Sequence, residues 1–456
     1  MKPKQILVLA LLFFALFVGI ILKQNQKVPE LSTEEYAPLD LSFDVSKAAK
    51  LEIFKGKDEK LVDVAKTNAG WRVLNFHNAR ADQEKINDLF KAINAAKGEM
   101  RAKDKNLFAD FGIADESAYR LVISNAANAA LLSVKLGTKK PAYSAVFLRA
   151  GNSENVYYVA TDLFSHLGVY DDPNKVAPKS DYWVSVKLVE FQAEEVNQIQ
   201  NTRFENGHDL VTAHAVRKTD SNDLTKKKWQ FELANSPFPI EGEKVKQFLN
   251  SVKTWQALKA SDPKAQDYGF DKPIVSFKLG FEDGKEILIQ AGAENPTNKA
   301  RYIWVSSEPV VFELPDYYFK NLNIDDSKFF IENPLGVDPQ KTTKLIVNLG
   351  SKKLDISVKE KVSDALTNYL TKLKTFSVAR LLFQEADIKK LSSSGAAKSL
   401  AIYKENGEAL TLEVGAMVGD QPKEYAARVS NKGNAFAISE AIYRFLFENE
   451  GLFNSN

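Results

Sequence analysis

An internal repeat of a helix-forming pattern constrains this chain more than any other feature. A Glu-Lys pair followed by apolar residues at positions i, i+3, i+4 and i+7 occurs three times, in residues 84–93, 243–252 and 360–369. This spacing places the apolar side chains on one face of an amphipathic helix. Because the pattern returns in the same register, we interpret it as the mark of tandem structural units. The predicted buried faces are Ile86, Leu89, Phe90 and Ile93; Val245, Phe248, Leu249 and Val252; and Val362, Ala365, Leu366 and Tyr369.

The residues around the first two helices repeat as well. A tryptophan precedes each of them, Trp71 and Trp229, and a glycine follows each of them, Gly112 and Gly269. Strands with alternating apolar and polar residues come next, and in all three copies one strand ends in a glycine, at the positions Gly137, Gly292 and Gly415. Alternation indicates a sheet with one covered face, and the helix supplies the cover. The third copy has no matching tryptophan, so we interpret it as trimmed.

Gly112 lies in an Asp-Phe-Gly tripeptide, which in protein kinases holds magnesium. The chain has no G-x-G-x-x-G loop and no His-Arg-Asp sequence to accompany it. A related Asp-Tyr-Gly sequence ends at Gly269 in the second copy, which favours a structural role. We predict that both glycines follow the end of a short helix in the left-handed conformation, with Asp110 and Asp267 facing solvent.

The N-terminus predicts a membrane anchor. Residues 6–22 contain no charge and form an apolar run that includes Ile6, Phe13, Phe14 and Leu22. A helix of this length spans roughly 26 Å, enough for a thin hydrocarbon core. The residues after Leu22 offer no small-residue cleavage site, so we predict an uncleaved signal anchor in residues 1–27 and a polar linker in residues 28–44.

The composition of the chain indicates which partners it can have and in which cellular compartment it lies. The chain has 61 basic and 59 acidic residues, and this balance gives no sign of a nucleic-acid partner. It has no cysteine, which suits a body outside the cytoplasm, where a stray thiol is a liability. We therefore predict a bacterial inner-membrane protein that crosses once, with its body in the periplasm.

The predicted fold class is α+β. A single transmembrane helix precedes three tandem repeats, each a largely antiparallel sheet with an amphipathic helix. The predicted bounds of the repeats are residues 45–190, 191–335 and, for the trimmed copy, 336–456.

A search for catalytic chemistry finds no complete motif. The chain lacks a G-x-S-x-G elbow, a Walker-type phosphate loop and an H-E-x-x-H zinc motif. His208 and His214 are too far apart on a strand to share one metal, at roughly 20 Å. We therefore assign no catalytic, cofactor-binding or metal-binding residue, and we expect a protein that is not an enzyme and needs no cofactor.

The signal anchor, the tryptophan-led strand, the amphipathic helix and the Tyr-Gly-Phe-x-x-Pro sequence of residues 268–273 together resemble the domain of unknown function 4340 family. The resemblance covers most of residues 45–330 in two copies. It implies an extracytoplasmic accessory subunit of a gliding-motility-type ABC transporter, with the permease and the ATPase subunits as partners. The alternative function is a cell-envelope enzyme that acts on polysaccharide or peptidoglycan in a cleft between repeats.

Overall fold

The computed structural model describes residues 39–139, 145–221, 223–233, 236–358, 362–391, 398–430 and 432–449. The described residues form an α+β fold of three large antiparallel sheets and few helices, consistent with three repeats. None of the helices in this part of the chain is long and apolar enough to cross a membrane. The predicted anchor at residues 1–27, which includes Ile6, Phe13, Phe14 and Leu22, lies outside the described residues.

The first sheet has nine strands. They are β1 (Lys50–Lys55), β2 (Glu59–Thr67), β3 (Gly70–Val73), β4 (Ala79–Arg80), β5 (Gly98–Lys103), β6 (Tyr119–Ser124), β7 (Ala130–Leu136), β8 (Val146–Ala150) and β9 (Asn155–Val159). Their order across the sheet is β4-β3-β2-β1-β6-β7-β8-β9-β5, with antiparallel pairing throughout. Helix α1 (Gln83–Ala95) lies between β4 and β5 in the chain.

The second sheet has eight strands. They are β10 (Val196–Glu205), β11 (His208–Asp220), β12 (Asp223–Phe231), β13 (Ala260–Ser261), β14 (Val275–Phe281), β15 (Glu286–Asn295), β16 (Ala300–Val305) and β17 (Val311–Pro315). Their order is β12-β11-β10-β14-β15-β16-β17-β13, again antiparallel. Helix α2 (Gly242–Lys253) precedes β13, and helix α3 (Asp316–Leu322) follows β17.

The third sheet has seven strands. They are β18 (Thr342–Asn348), β19 (Lys353–Ser357), β20 (Arg380–Leu381), β21 (Lys398–Lys404), β22 (Ala409–Asp420), β23 (Lys423–Val429) and β24 (Lys432–Ser439). Their antiparallel order is β19-β18-β21-β22-β23-β24-β20. The helices are α4 (Asp364–Leu373), α5 (Glu385–Lys389) and α6 (Glu440–Phe447). Short 3-10 helices along the chain are Val45–Lys47, Lys105–Leu107, Ser165–Leu167, Ser180–Trp183, Ala193–Glu195 and Asp326–Phe329.

All three sheets follow the same chain path. A hairpin is followed by an amphipathic helix and a single strand, and four strands that pair in sequence come after them. The first hairpin strand pairs with the first of the four, and the strand after the helix pairs with the last. The first two sheets add edge strands beyond the hairpin, which carry Trp71 and Trp229. No such strand extends the third sheet within the described residues, so its lack of a tryptophan reflects a smaller sheet.

Contacts divide the chain into two compact units with a boundary between Val184 and Ser185. The first sheet belongs to the first unit, and the second and third sheets share the second unit. A single apolar cluster in the second unit joins Phe238 and Phe330 from the second repeat to Leu370 and many other residues of the third. The second and third repeats therefore form one body with a common core.

The first two amphipathic helices bury the faces that the sequence predicts. Ile86, Leu89, Phe90 and Ile93 are buried on α1, and Val245, Phe248, Leu249 and Val252 are buried on α2. Asp82 caps α1, because its side chain accepts hydrogen bonds from the N–H groups of Glu84 and Lys85.

The face predicted for the third helix is wrong in its register. Helix α4 begins only at Asp364, where the Ser363 hydroxyl accepts a hydrogen bond from the Leu366 N–H at 3.2 Å. Val362 therefore precedes the helix and is 46% exposed, and Ala365 is only half-buried. The same i, i+3, i+4, i+7 spacing recurs four residues later, in the buried set Leu366, Tyr369, Leu370 and Leu373. A serine cap thus overrides the Glu-Lys register, and Glu360 and Lys361 lie outside the described residues.

Gly112 and Gly269 both have left-handed backbones, with φ of 68° and 78°. Before Gly112 the chain makes a Schellman-type ending, in which the Ile113 N–H donates to the Phe108 carbonyl at 2.9 Å. No helix precedes Gly269, so the predicted helix ending is wrong there. Its N–H instead donates to the side chain of Asp267 at 2.8 Å, a local turn that needs no helix.

The strand-ending glycines share one steric role. A Cβ atom on Gly137, Gly292 or Gly415 would collide with a carbonyl oxygen of a loop that crosses the strand at that point. These oxygens belong to Phe111, Tyr268 and Lys390. The crossing exists in the third sheet as well, although that copy lacks the preceding glycine, because the Ala416 N–H donates to the Lys390 carbonyl at 2.9 Å. Glycine is therefore required for the close approach of two backbones.

Candidate functional site

A cleft of about 1020 Å³ opens between the second and third sheets, inside the second compact unit. Two segments form most of its walls, residues 320–334 from the last turn of α3 onwards and residues 374–380 from the end of α4 to β20. Arg203 on β10 and Lys244 on α2 complete the lining. The cleft is large enough for a ligand, since binding pockets commonly enclose roughly 300–1,000 Å³.

Positive charge dominates the lining of the cleft. Its two acidic residues are Asp325 and Glu332, and its six basic residues are Arg203, Lys244, Lys320, Lys328, Lys374 and Arg380. Arg203 approaches Glu205 at 3.7 Å, Arg380 pairs with Glu424 at 2.9 Å, and Lys244 donates to the Phe330 carbonyl at 2.8 Å. Lys320, Lys328 and Lys374 are exposed, and no acidic side chain of the described residues pairs with them.

Aromatic side chains beneath the cleft hold its two walls together. Phe330 from the first wall packs against Phe238, with ring centroids 5.3 Å apart. Phe238 contacts Phe436 at 5.6 Å, and Phe436 contacts Phe376 of the second wall at 6.2 Å. All four rings are nearly or fully buried. The floor of the cleft is therefore part of the shared core and has a fixed shape.

Asp325 ties the first wall directly to the third sheet. One of its carboxylate oxygens accepts the Leu381 N–H of β20 at 2.8 Å, and the other accepts the Ser327 N–H at 2.9 Å. The residue is only 5% exposed. Because each oxygen accepts a backbone N–H, Asp325 acts as a bridge between the two repeats.

Asp326 points the other way, into the second repeat. It is fully buried, it accepts a hydrogen bond from the backbone N–H of His214 at 3.1 Å, and it accepts a short hydrogen bond from the Ser236 hydroxyl. Burial raises the pKa of this carboxyl to about 7, and nearby Asp325 adds to the rise, while the two hydrogen bonds oppose it. Asp326 does not line the cleft, so its shifted pKa does not indicate an acid that could reach a ligand there.

Two further buried polar side chains fasten the first wall to the sheet below it. The Asn201 side chain donates to the Leu322 carbonyl at 2.6 Å, and the Thr212 hydroxyl donates to the Ile324 carbonyl at 2.7 Å. Both side chains are fully buried. They lie where the pairing of β10 with β11 shifts register, and this bulge presents them to the segment after α3.

The residues that the sequence singled out lie away from this cleft. Trp71 is buried and meets Phe90 edge-on at 6.3 Å, while Trp229 is half-buried and lines a separate cavity of about 440 Å³ beside Gly242. Gly112 lies next to the end of β7, where Gly137 follows, and Gly269 lies next to β15, which contains Gly292. Gly415 meets the loop after α5.

The two histidines of β11 form no common site. His208 is exposed and pairs with Glu205 of β10, whereas His214 pairs with Gln200 further along the strand. A ring nitrogen of His214 lies 2.9 Å from the Gln198 side-chain nitrogen, and burial lowers the pKa of His214. Within the described residues no group of three His, Cys, Asp or Glu side chains is arranged to hold a metal ion.

Sequence reasoning missed the cleft because its lining comes from segments without a motif. The one local signal is the adjacent pair Asp325-Asp326, which stands between the apolar residues Ile324 and Phe329. Acidic residues inside an apolar stretch are rarely buried unless they hold something in place.

Comparison with known proteins gives one family. The model described as "Domain of unknown function (DUF4340)" matches residues 71–257 and again residues 229–398. The two matches start at Trp71 and Trp229, the tryptophans that the first two repeats share. No curated protein and no solved structure matches the chain.

Proposed function

This chain belongs to the DUF4340 family, and we propose that it is a membrane-anchored, extracytoplasmic accessory subunit of an ABC-type transporter that acts by binding. The charge-free run of residues 6–22 supports the anchor, and the absence of cysteine supports an extracytoplasmic body. The partners in this proposal are the inner membrane and the permease and ATPase subunits of the transporter. The resemblance to gliding-motility-type systems motivates the choice of transporter.

The observation that carries the proposal is the basic cleft. Its walls are fixed by the shared aromatic core and by the Asp325 bridge, so it is formed before anything binds. Binding to a preformed surface avoids the entropic cost of ordering mobile segments. A compact unit with a preformed basic cleft is suited to capture a ligand or a partner beside a membrane transporter.

We favour binding over the alternative of an envelope enzyme because of the acidic residues in the cleft. Hydrolysis of a glycoside usually needs two carboxyl groups that flank the bond. In the cleft, Asp325 is buried and holds two backbone N–H groups, so Glu332 is the one exposed carboxyl group of the lining. The lining thus supplies positive charge for attraction but only one exposed carboxyl group.

Cross-linking in cells tests the proposal. The full chain with a C-terminal tag is cross-linked in its host, extracted from membranes and purified, and the captured proteins are identified by mass spectrometry. We expect a permease and an ATPase of one transporter in stoichiometric amounts. A variant in which Phe13, Phe14 and Val18 of the apolar run are changed to Asp is the matched control, because it should lose both the membrane fraction and the partners.

Two results would contradict the proposal. One is a body that cross-links only to cytoplasmic proteins. The other is release of soluble fragments from purified peptidoglycan by the purified full chain, which would support the envelope enzyme.

A further inference from the structure

The lysines of the cleft point to the chemistry of its ligand. We propose that the cleft binds an anionic polymer, a strand that carries repeated phosphate or carboxylate groups. This inference deepens the proposed function, on which it rests for the source of the polymer, by naming the chemical class of what the body binds.

The surplus of positive charge is the first argument. Lys320 on α3, Lys328 in the 3-10 helix Asp326–Phe329 and Lys374 directly after α4 all face the same cleft. All three are exposed, and their ammonium groups have no acidic partner among the described residues. Cations gathered in a concave site add their fields and attract anions. The molecule as a whole is almost neutral, with a net charge of +2, so this concentration is local.

The kind of cation is the second argument. The three lysines that pair with no acidic side chain of the described residues are point charges on flexible stems, and they lie on or beside three different helices. One small anion held tightly would call for a fork of converging donors, as arginine provides. Separate, mobile cations along a cleft suit successive charges on an extended strand.

The floor of the cleft supports the same ligand. Ile331 and Val378 are half-buried apolar residues of the lining, and Phe330 and Phe376 lie beneath them. An apolar floor under a basic rim can contact the uncharged backbone of a polymer while the lysines contact its charged groups. This floor also distinguishes the cleft from a solvated patch of lysines.

An acidic protein segment fits the cleft less well. Peptides bind beside sheets mainly by adding a strand to a free edge, where backbone N–H groups are available. The nearest edge strand is β20, and its Leu381 N–H is already bonded to Asp325. The strand has only two residues, so it offers a peptide little edge to extend.

Fluorescence polarisation with the purified full chain tests the proposal. The labelled probes are polyphosphate and polygalacturonate, which separate phosphate from carboxylate, and poly-L-glutamate represents an acidic protein segment. We expect at least one of the first two polymers to bind more tightly than poly-L-glutamate. The triple variant Lys320→Gln, Lys328→Gln, Lys374→Gln should bind at least about tenfold more weakly, with a shallower dependence on salt because fewer counter-ions are released.

The matched control is the triple variant Lys264→Gln, Lys272→Gln, Lys352→Gln. These lysines are exposed in the same compact unit and lie outside the cleft, so their removal changes net charge equally. Equal loss of affinity in both triple variants would show non-specific attraction and would overturn the proposal. So would failure of polyphosphate and polygalacturonate to bind, or tighter binding of poly-L-glutamate.

A second measurement needs no variant. Acetylation of the wild-type chain with and without polymer, read by mass spectrometry, should show protection of Lys320, Lys328 and Lys374 but not of Lys264, Lys272 and Lys352. Failure of the inference is distinguishable from failure of the proposed function. If the polymers do not bind but the permease and the ATPase are captured, only the proposed ligand is rejected. If a polymer binds but the permease and the ATPase are not captured, only the proposed transporter partners are rejected.

Discussion

Asp326 shows how a single buried carboxyl couples this fold to pH. The folded state keeps the pKa of Asp326 at about 7, far above the ordinary value of 3.8, so between these values the folded chain holds a proton that the unfolded chain has released. Stability therefore decreases as pH rises from about 4 to about 7 and then levels off, by about 4 kcal/mol at most. The half-buried His214 acts in the opposite direction, since its lowered pKa favours folding as pH rises towards 6.5.

We predict that Asp326→Asn removes the decrease in stability that accompanies the rise in pH from about 4 to about 7. The Asn amide oxygen can still accept the backbone N–H of His214, and the residue no longer ionises. Urea unfolding of the full chain in detergent at pH 5 and pH 8 gives the two free energies. Relative to the variant, the wild type should lose at least about 1–2 kcal/mol between these values of pH. His214 is present in both proteins, so the comparison isolates Asp326, and equal pH dependence in both would refute its assignment.

At the level of helices and strands, the sequence predicts those features that depend on a local pattern of residues. The spacing of apolar residues on α1 and α2 determines which side chains are buried, because a helix that packs on a sheet buries one apolar face. On α4 the same spacing occurs twice in overlapping registers, and the Ser363 cap selects the second. Pattern alone cannot choose between two registers when the deciding hydrogen bond comes from a residue outside the pattern.

The register of α4 leads to a paired prediction. Leu370→Ala should reduce the free energy of unfolding by about 2–5 kcal/mol, because Leu370 is 1% exposed inside the shared core. Val362→Ala should change it by no more than about 0.5 kcal/mol, because Val362 is exposed before the helix begins. Urea unfolding of both variants measures the difference. A large effect of Val362→Ala with a small effect of Leu370→Ala would favour the register that the Glu-Lys pair predicts.

At the level of the whole molecule, the cleft forms where neighbouring repeats pack against each other. No local sequence pattern therefore predicts it. Lys328 and Lys374 belong to different repeats, and they line the same cleft because the shared core and the Asp325 bridge hold these repeats together. Each lysine alone resembles any solvated surface lysine. Three repeats with the same chain path can be foreseen from periodicity, but the contact between neighbouring repeats depends on residues that do not repeat.

The shared core predicts how the molecule unfolds. Each compact unit has its own sheet contacts, so we expect two transitions in urea instead of three, one for each side of the boundary between Val184 and Ser185. Leu89→Ala should lower the midpoint of one transition only. Phe238→Ala should lower the midpoint of the other, at a cost of about 3–5 kcal/mol, since its ring bridges Phe330 of the second repeat and Phe436 of the third.

Hydrogen exchange with mass spectrometry assigns each transition to its residues, because peptides from β10 to β17 and from β18 to β24 should lose protection together. Their joint loss in the Phe238→Ala variant would follow from a core that both repeats need. If the second and third sheets instead lose protection at separate urea concentrations in the wild type, the aromatic contacts beneath the cleft do not join them into one cooperative unit. The cleft would then lack the fixed walls on which the binding proposal depends.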